Sequence, residues 1–238
     1  EVLKNVFANF VRDLVEYDTE MQNFVTYISQ LDMLVTKAFI SKKYNYCKPV
    51  INKKAKKSFF SAKEIRHPII ERLLMQNGNE IYVPNDIGLG DRNQDGMIIF
   101  GTNGVGKSSI NRSVGISIVM AQSGMYVPCS SFNYKPYKSL YTRILGNDDI
   151  FKGLSSFAVE MSELKSILKA DENSLILGDE LCRGTEFNSA IRIFISGLVS
   201  LNKKKCSHIF ATHFHEITKM KQIQGLSTLV MKHMSIEF

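Results

Sequence analysis

Apolar residues recur every three or four positions through the first 46 residues, which contain neither glycine nor proline. This spacing is typical of an amphipathic helix, which would be roughly 60–70 Å long if it were unbroken. The apolar positions are Leu3, Val6, Phe7, Phe10, Val11, Leu14, Met21, Phe24, Val25, Ile28, Leu31, Leu34, Val35 and Ala38. Two interpretations stay open: a long core helix with a bend, or a lever that connects the chain to parts outside it. We predict a helical segment over residues 1–46 and a second domain over residues 47–238.

Beyond this segment the pattern changes to short apolar runs. Ser58–Ile65 has the length of a strand, and a turn-rich segment from Gln76 to Asp95 follows it. Strands and helices then alternate: Met97–Phe100, a helix from about Lys107, Ser174–Gly178, a helix from about Phe187, and Ser207–Thr212. This alternation indicates βαβ units around a mostly parallel sheet, so the predicted fold class is α/β.

The net charge is concentrated in one part of the chain. The chain is 44% hydrophobic and 22% charged, as is ordinary for a globular protein, and its net charge is +7. Such a charge suggests binding to nucleic acid or to a membrane surface. However, residues 42–66 hold nine basic residues and one acid, a local charge of +8. Two interpretations of this segment stay open: a solvated basic connector between the helix and the second domain, which we favour, or a surface that binds nucleic acid.

The four cysteines (Cys47, Cys129, Cys182 and Cys206) are far apart and form no CxxC pair. This favours free thiols in a reducing, intracellular compartment over a disulfide or zinc framework. No signal peptide or apolar run of membrane-spanning length is visible, and no membrane partner is predicted. Because the chain begins at Glu1 within a helical pattern, we expect it to be a fragment of a longer protein.

A glycine-rich motif joins the strand Met97–Phe100 to the following helix. Residues 101–108 fit G-x-x-x-x-G-K-[ST], whose glycines let successive backbone N–H groups converge on phosphates at a helix N-terminus. Lys107 is expected to reach the β- and γ-phosphates, and the Ser108 hydroxyl to ligate Mg²⁺. The residues predicted to bind nucleotide here are Gly101, Thr102, Asn103, Gly104, Val105, Gly106, Lys107, Ser108 and Ser109.

Two adjacent carboxylates, Asp179 and Glu180, end the apolar strand that begins at Ser174. Asp179 is suited to hold Mg²⁺ through its water shell, and Glu180 to orient or deprotonate the attacking water. Because P-loop kinases seldom need a water-activating Glu, this pair favours a hydrolase.

His213 follows a third strand, and parallel strands present their carboxyl ends together at a ligand crevice. We expect His213 to lie beside the γ-phosphate. A metal pair with His215 is disfavoured, because carboxylate or cysteine partners at suitable spacing are missing. Ser155 and Ser156 stand at a predicted helix start, where serine either caps the helix or donates to a phosphate; the local sequence does not decide between these roles.

In this order the motifs resemble the ATPase domain of the MutS DNA mismatch-repair family, a branch of the ABC ATPases, and the resemblance covers nearly the whole chain. It implies a P-loop NTPase sheet flanked by helices and preceded by the end of a lever helix. Besides the motifs above, the matching segments are Leu31–Val35, Arg66–Pro68, Tyr82–Asp86, Tyr126–Pro128, Tyr141–Arg143, Ser156–Met161, Arg183–Thr185 and Ala211–His213.

The resemblance also implies residue roles that spacing does not supply. Tyr82 and Val83 would contact adenine with Asn85 nearby, Asn103 would sit against the phosphates, and His213 would act as a γ-phosphate switch. Ser155 and Ser156 would form a signature segment that completes the nucleotide site of a second MutS-like subunit, identical or a paralogue. Residues 183–185 would cross that dimer interface.

The implied activity is Mg²⁺-dependent ATP hydrolysis, with ATP and Mg²⁺ as the bound species. ATP-driven dimer closure would control a clamp on mismatched double-stranded DNA, formed by domains outside this chain.

The sequence departs from the family pattern within the glycine loop, at Leu181-Cys182 and at Glu186. None of these changes removes a catalytic side chain, and together they resemble the branch found in large DNA viruses and some mitochondria. An SMC-like strand-break repair ATPase is disfavoured by the segments around Tyr82 and Ser156. A non-hydrolysing module that uses nucleotide only to dimerise is disfavoured by the presence of Lys107, Asp179, Glu180 and His213.

Overall fold

The computed structural model describes residues 1–76, 78, 81–91, 93–102, 104–143, 156–179, 187–213 and 215–235, without the side chains of Ser156, Phe157, Phe187 and His215. The chain divides into two compact units, Glu1–Asn45 and Tyr46–Phe238.

The first unit consists of two helices, α1 (Val2–Val15) and α2 (Asp18–Lys43), rather than one continuous helix. The break falls at Glu16 and Tyr17, whose backbone amides donate to carbonyls three residues back instead of four. Neither residue is glycine or proline; α2 starts where Asp18 places a carboxylate in its first turn, which favours a helix N-terminus. None of the described residues of α1 and α2 is buried, so the apolar side chains of these two helices are not packed into a hydrophobic core.

The second unit is an α/β structure built on two sheets, which confirms the predicted fold class. The strands are β1 (Val50–Ile51), β2 (Phe59–Ile65), β3 (Asn85–Leu89), β4 (Gly96–Phe100), β5 (Ser131–Lys135), β6 (Ser139–Arg143), β7 (Ser174–Asp179), β8 (Ser207–Thr212) and β9 (Leu229–His233). The helices are α3 (Pro68–Gln76), α4 (Lys107–Gln122), α5 (Ser156–Ile167), α6 (Phe187–Lys203) and α7 (Lys221–Gln224), with a 3₁₀ turn at His215–Lys219.

The larger sheet has five parallel strands in the order β6-β7-β8-β4-β9. The strands predicted at 97–100, 174–178 and 207–212 lie next to one another in it. The smaller, mixed sheet has the order β1-β5-β2-β3, in which only β1 and β5 run parallel. Only β2 of this sheet was predicted, so the second sheet corrects the expectation of one mostly parallel sheet.

Both faces of the parallel sheet are covered, which explains the continuous apolar runs of its central strands. Met97, Leu175 and Ile209 face a core that includes one side of α4 and the mixed sheet. Ile98, Ile176 and Phe210 face a second core shared with α6. Every residue of β7 and β8 is buried as a result. Among the described residues, none of the helices combines the length and the hydrophobicity of a membrane-spanning segment.

The described cysteines are free thiols, as predicted: Cys47 is half-buried, and Cys129 and Cys206 are buried. Burial raises the pKa of Cys129 to about 12 and that of Cys206 to about 11, so both thiols stay protonated at neutral pH. Cys182 lies outside the described residues.

A fully buried histidine, His208, lies at the start of β8. Its Nδ1 is 3.0 Å from the Cys206 carbonyl oxygen, and its Nε2 has no hydrogen-bond partner. The ring packs so closely on Gly96 that a Cβ there would lie 2.2 Å from Nε2. Burial lowers the pKa of His208 to about 4, which keeps the ring neutral in the folded chain.

Mild acid is expected to destabilise the chain through His208. The unfolded imidazole binds a proton near pH 6.5, whereas the buried ring does so only near pH 4, so stability is complete above pH 6.5 and falls between these values by up to about 3 kcal/mol. A His208→Asn variant should show a flatter free energy of unfolding across pH 6.5 to 4, measured by urea denaturation at each pH. His67, whose pKa is also lowered by burial, contributes to both proteins and cancels in the comparison. Equal slopes for the two proteins would refute the role of His208.

Candidate functional site

The glycine-rich loop runs from the end of β4 to the start of α4. Gly104 and Gly106 have φ angles of 83° and 94°, a left-handed conformation that strains other residues. At Gly101 a Cβ would lie 2.5 Å from the Met234 carbonyl oxygen, because the segment after β9 passes against the loop. The three glycines of the motif are therefore explained by backbone geometry and close packing.

Lys107 is buried at the beginning of α4, with a relative exposure of 6%. Its Nζ donates to the carbonyl oxygens of Gly101 and Thr102, at 2.8 and 2.7 Å. The N-cap of α4 is Gly106, which has no side chain to cap the helix. The first backbone N–H groups of α4 and the Lys107 ammonium thus form a positive site at the loop, suited to an anion.

A cavity of about 500 Å³ adjoins this loop. Its wall combines the predicted adenine-contacting residues with the loop and the C-terminal segment: Tyr82, Val83, Asn85, Val105, Gly106, Ser109, Ile110, Met234 and Ser235. The Tyr82 hydroxyl oxygen lies 3.3 Å from Ser109 Oγ and 3.4 Å from Ser113 Oγ. The structure therefore brings residues 82–85 to the glycine loop, although at least 16 positions separate them in sequence.

Met234 and Ser235 are cavity residues that the sequence analysis missed. The Met234 amide donates to the Phe100 carbonyl at 2.8 Å, which extends the pairing of β9 with β4 beyond the last strand residue. The sequence signal for β9 is weak because its residues are half-buried or exposed and show no clean alternation.

Asp179 and His213 lie at the same edge of the parallel sheet as the glycine loop. Asp179, the last residue of β7, pairs with Ala211, and Phe100, the last residue of β4, pairs with Thr212. His213 directly follows Thr212, so it lies at the level where the glycine loop begins. Asp179 is 3% exposed, and His213 is half-buried. β8, which directly precedes His213, lies between β4, which precedes the glycine loop, and β7, which ends at Asp179.

A buried hydrogen bond fixes α4 against β7. Asn111, four residues after Lys107 on α4, donates from Nδ2 to the Gly178 carbonyl oxygen at 2.7 Å. This contact anchors α4 to the end of β7, one residue before Asp179. The sequence analysis did not identify Asn111, and no motif residue pointed to it.

An ion-pair cluster joins the end of β6 to α5. Arg143 donates from Nη2 to Glu160 Oε1 at 3.0 Å and also pairs with Glu163. Arg143 and Glu160 are nearly buried, with side-chain exposures of 10% and 6%. The matching segments around residues 141–143 and 156–161 are therefore in contact, and the cluster holds the helix that begins at Ser156.

The motif Arg66–Pro68 starts α3. The amides of Ile69 and Ile70 donate to His67 Nδ1, both at 3.3 Å, and Arg66 pairs with Glu71 at 2.9 Å. Burial lowers the pKa of His67, and the positive charge of Arg112 lowers it further. His67 also borders a separate, largely apolar cavity of about 670 Å³ beside α4, away from residues 82–85. The contacts made by the described residues of this motif therefore stabilise the start of α3.

Several predicted site residues lie outside the described residues: Asn103, Ser155, Glu180 and Arg183–Thr185, as does the side chain of Ser156. Within the described part of the chain, no group of three or more His, Cys, Asp and Glu could hold a metal ion.

A model of the family described as MutS domain V matches residues 97–237. A mutS homolog of Acanthamoeba polyphaga mimivirus is 38% identical over 96% of this chain and 24% of its own length. The mitochondrial DNA mismatch repair protein mutS homolog of Sarcophyton glaucum is 40% identical over 82% of this chain and 20% of its own. The DNA mismatch repair protein MutS of Caldanaerobacter subterraneus is 37% identical over 90% and 24%. The chain thus spans about a quarter of the length of these relatives.

Proposed function

The chain belongs to the MutS family, and from this membership we propose that residues 47–238 form the ATP-binding and ATP-hydrolysing domain of a MutS-like DNA mismatch-repair protein. The observation that carries the proposal is the 500 Å³ cavity between residues 82–85 and the glycine loop, beside the buried Lys107. Such a cavity offers an aromatic wall for a base and, next to it, a helix N-terminus for phosphates.

In this proposal the base of ATP lies against Tyr82 and Val83 near Asn85, and its phosphates lie at the N-terminus of α4. Lys107 and the loop N–H groups, including that of Asn103, stabilise the phosphate charge. The hydroxyl of Ser108 and the carboxylate of Asp179 are hard oxygen donors at one edge of the sheet, so they fit Mg²⁺. When bound, Mg²⁺ neutralises charge on the phosphate oxygens.

Hydrolysis then requires a positioned water. Glu180 follows Asp179 directly in sequence and is proposed to orient this water and accept its proton. The water oxygen bonds to the γ-phosphorus as the bond to the β,γ-bridging oxygen breaks, which yields ADP and phosphate. His213, abreast of the loop, is proposed to respond to the presence of the γ-phosphate.

The working unit is proposed to be a dimer with a second MutS-like subunit, identical or a paralogue. Ser155 and Ser156 would complete the partner's nucleotide site, and the contact of Arg143 with Glu160 supports this by fixing α5 at its start. Residues 1–46 would serve as the end of a lever. Through it, ATP-driven closure would control a clamp on mismatched DNA formed by domains outside this chain.

A tyrosine substitution tests the proposed base contact. Tyr82→Ala is expected to raise the Kd for ATP about tenfold, since contact between a base and an aromatic ring is worth about 1–3 kcal/mol. Binding would be measured by fluorescence titration with a labelled ATP analogue and competition by unlabelled ATP. Tyr126→Ala is the matched control, because Tyr126 is exposed and does not line the cavity. If both variants bind ATP as tightly as the unaltered chain, the base does not lie against Tyr82.

A further inference from the structure

Ten lysines gather at the amino end of the parallel sheet, opposite the edge that holds the glycine loop. We call this surface the lysine end. It is formed by the β1–β2 loop, the last residue of β5 and the β5–β6 turn, the α5–β7 loop, and the end of α6 with the α6–β8 loop. Its lysines are Lys53, Lys54, Lys56, Lys57, Lys135, Lys138, Lys169, Lys203, Lys204 and Lys205.

Strand register brings these segments together. Ser139 pairs with Ser174, Leu175 with Ser207, and Gly96 with His208, so four neighbouring strands start at nearly the same level. The loops that precede parallel strands in register must lie side by side. The Lys138 amide donates to the Asn173 carbonyl at 2.9 Å, which joins two of these loops directly.

Side-chain contacts fasten the β1–β2 loop to the same end. Lys57 pairs with Asp95 and also donates to the Lys205 carbonyl at 3.3 Å. Lys135 donates to the Ala55 carbonyl at 2.7 Å. The loop that carries Lys53, Lys54 and Lys56 is therefore held beside residues 203–205, about 150 positions away in sequence.

The α6–β8 loop is held in a similar way. The ammonium of Lys204 donates to the carbonyl oxygens of Leu168 and Ala170, which belong to the α5–β7 loop. The α5–β7 loop is linked in turn to the β1–β2 loop, because the Ser58 amide donates to Asn173 Oδ1 at 3.1 Å. These bonds hold the lysines in one surface.

The lysine end carries a large share of the charge of the protein. Against its ten lysines stand four carboxylates among the described residues of these segments and of the adjoining β3–β4 loop, Asp91, Asp95, Asp171 and Glu172, which leaves +6. The net charge of the whole chain is +7. All of these lysines except Lys57 and Lys135 are exposed. Only four of the nine basic residues in 42–66 belong to the lysine end, so a basic connector formed by residues 42–66 does not explain the charge of this surface.

We propose that the lysine end binds the phosphate backbone of double-stranded DNA without regard to base sequence. Four neighbouring strands span about 15 Å, and B-DNA of that length carries about nine phosphate charges, a number that suits a surface of +6. The basic residues are all lysine, whose flexible point charges fit phosphates spread along a backbone. Planar, bidentate recognition of a single carboxylate or phosphate group would favour arginine.

This proposal goes beyond the proposed function, which assigns DNA to domains outside this chain, and it does not depend on ATP hydrolysis. It gives the ATPase domain a direct contact with DNA at the end of the sheet remote from the nucleotide. A phosphate backbone held there would be read for its charge alone.

A charge-reversal pair of variants tests the proposal. The test variant is Lys53→Glu, Lys54→Glu, Lys56→Glu, whose side chains are exposed. The control, Lys48→Glu, Lys219→Glu, Lys221→Glu, changes the net charge equally at exposed positions away from the lysine end. Binding of the 238-residue chain to a fluorescein-labelled, fully paired 20-base-pair duplex is measured by anisotropy between 50 and 200 mM salt.

The test variant is expected to bind the duplex at least about tenfold more weakly at 50 mM salt. The slope of the logarithm of its binding constant against the logarithm of the salt concentration should be less steep by about 3, since each phosphate contact contributes about 0.9 to this slope. The control should stay within about threefold of the unaltered chain. Thermal unfolding and binding of the ATP analogue should be unchanged in both variants, because the substitutions are remote from the cavity.

Three outcomes would overturn the proposal: no duplex binding by the unaltered chain at 50 mM salt, equal losses in test variant and control, or an unchanged salt slope in the test variant. A glutamate-rich peptide that binds more tightly than the duplex, and loses binding only in the test variant, would instead identify an acidic protein partner. Failure of the unaltered chain to bind ATP would refute the proposed function alone and leave the duplex result to decide this one.

Discussion

Replacing Lys107 by methionine is expected to weaken ATP binding about 100-fold. The ammonium is buried at the glycine loop, and removing one member of a buried, hydrogen-bonded charge pair costs about 2–5 kcal/mol. Methionine keeps the length and apolar volume of the side chain, so packing at the start of α4 should survive. Binding would be measured by titration with a labelled ATP analogue.

The same substitution removes the hydrogen bonds from Lys107 to the carbonyl oxygens of Gly101 and Thr102. Loss of this donor would destabilise the loop by about 1–3 kcal/mol at the buried Gly101, whereas Thr102 is exposed and water can replace the ammonium there. Thermal unfolding of the variant, with Lys219→Met as an exposed control, separates this effect from lost charge. A Kd within threefold of the unaltered value would remove Lys107 from the phosphate site.

Substituting glutamine for Glu180 is expected to leave ATP binding intact and to lower turnover by at least about 100-fold. Glutamine has nearly the same shape as glutamate but cannot accept the proton of the attacking water, and general-base catalysis contributes about 10²–10⁴-fold to a rate. The expectation depends on sequence position, since Glu180 directly follows Asp179, the buried last residue of β7. Phosphate release and ATP binding would be measured on the same preparation.

Glu172→Gln provides the matched control, because Glu172 is exposed and precedes the opposite end of the same strand. Undiminished hydrolysis in the Glu180 variant would exclude the proposed role of Glu180. If the unaltered chain binds ATP but releases no phosphate, even with a partner subunit and DNA, the alternative of a non-hydrolysing dimerisation module would be favoured.

Local patterns in the sequence predicted the elements that carry the nucleotide motifs. Apolar runs identified β4, β7 and β8 because both faces of the parallel sheet are buried, so the central residues of these strands are apolar. The pattern did not locate the break between α1 and α2, because neither glycine nor proline marks Glu16 and Tyr17. It also missed β9, whose side chains are half-buried or exposed.

The candidate site was predicted unevenly for a similar reason. The glycine loop is contiguous, so its spacing alone specifies the turn and the helix N-terminus. Tyr82 was placed near the nucleotide only through the family resemblance, and its position beside Ser109 became visible in the folded chain. Met234 and Asn111 were not predicted, since their contacts with the loop and with β7 join segments far apart in sequence.

The sequence by itself determined the α/β fold class and the family of this protein and predicted its nucleotide chemistry, because those depend on short-range spacing of residue types. Only the tertiary structure decided which residues enclose the cavity and where the positive charge lies. Parallel strands in register place the loops before them side by side, and this gathers lysines from segments up to 150 residues apart. The basic segment that resembled a connector in sequence is, in the folded chain, one part of a larger charged surface.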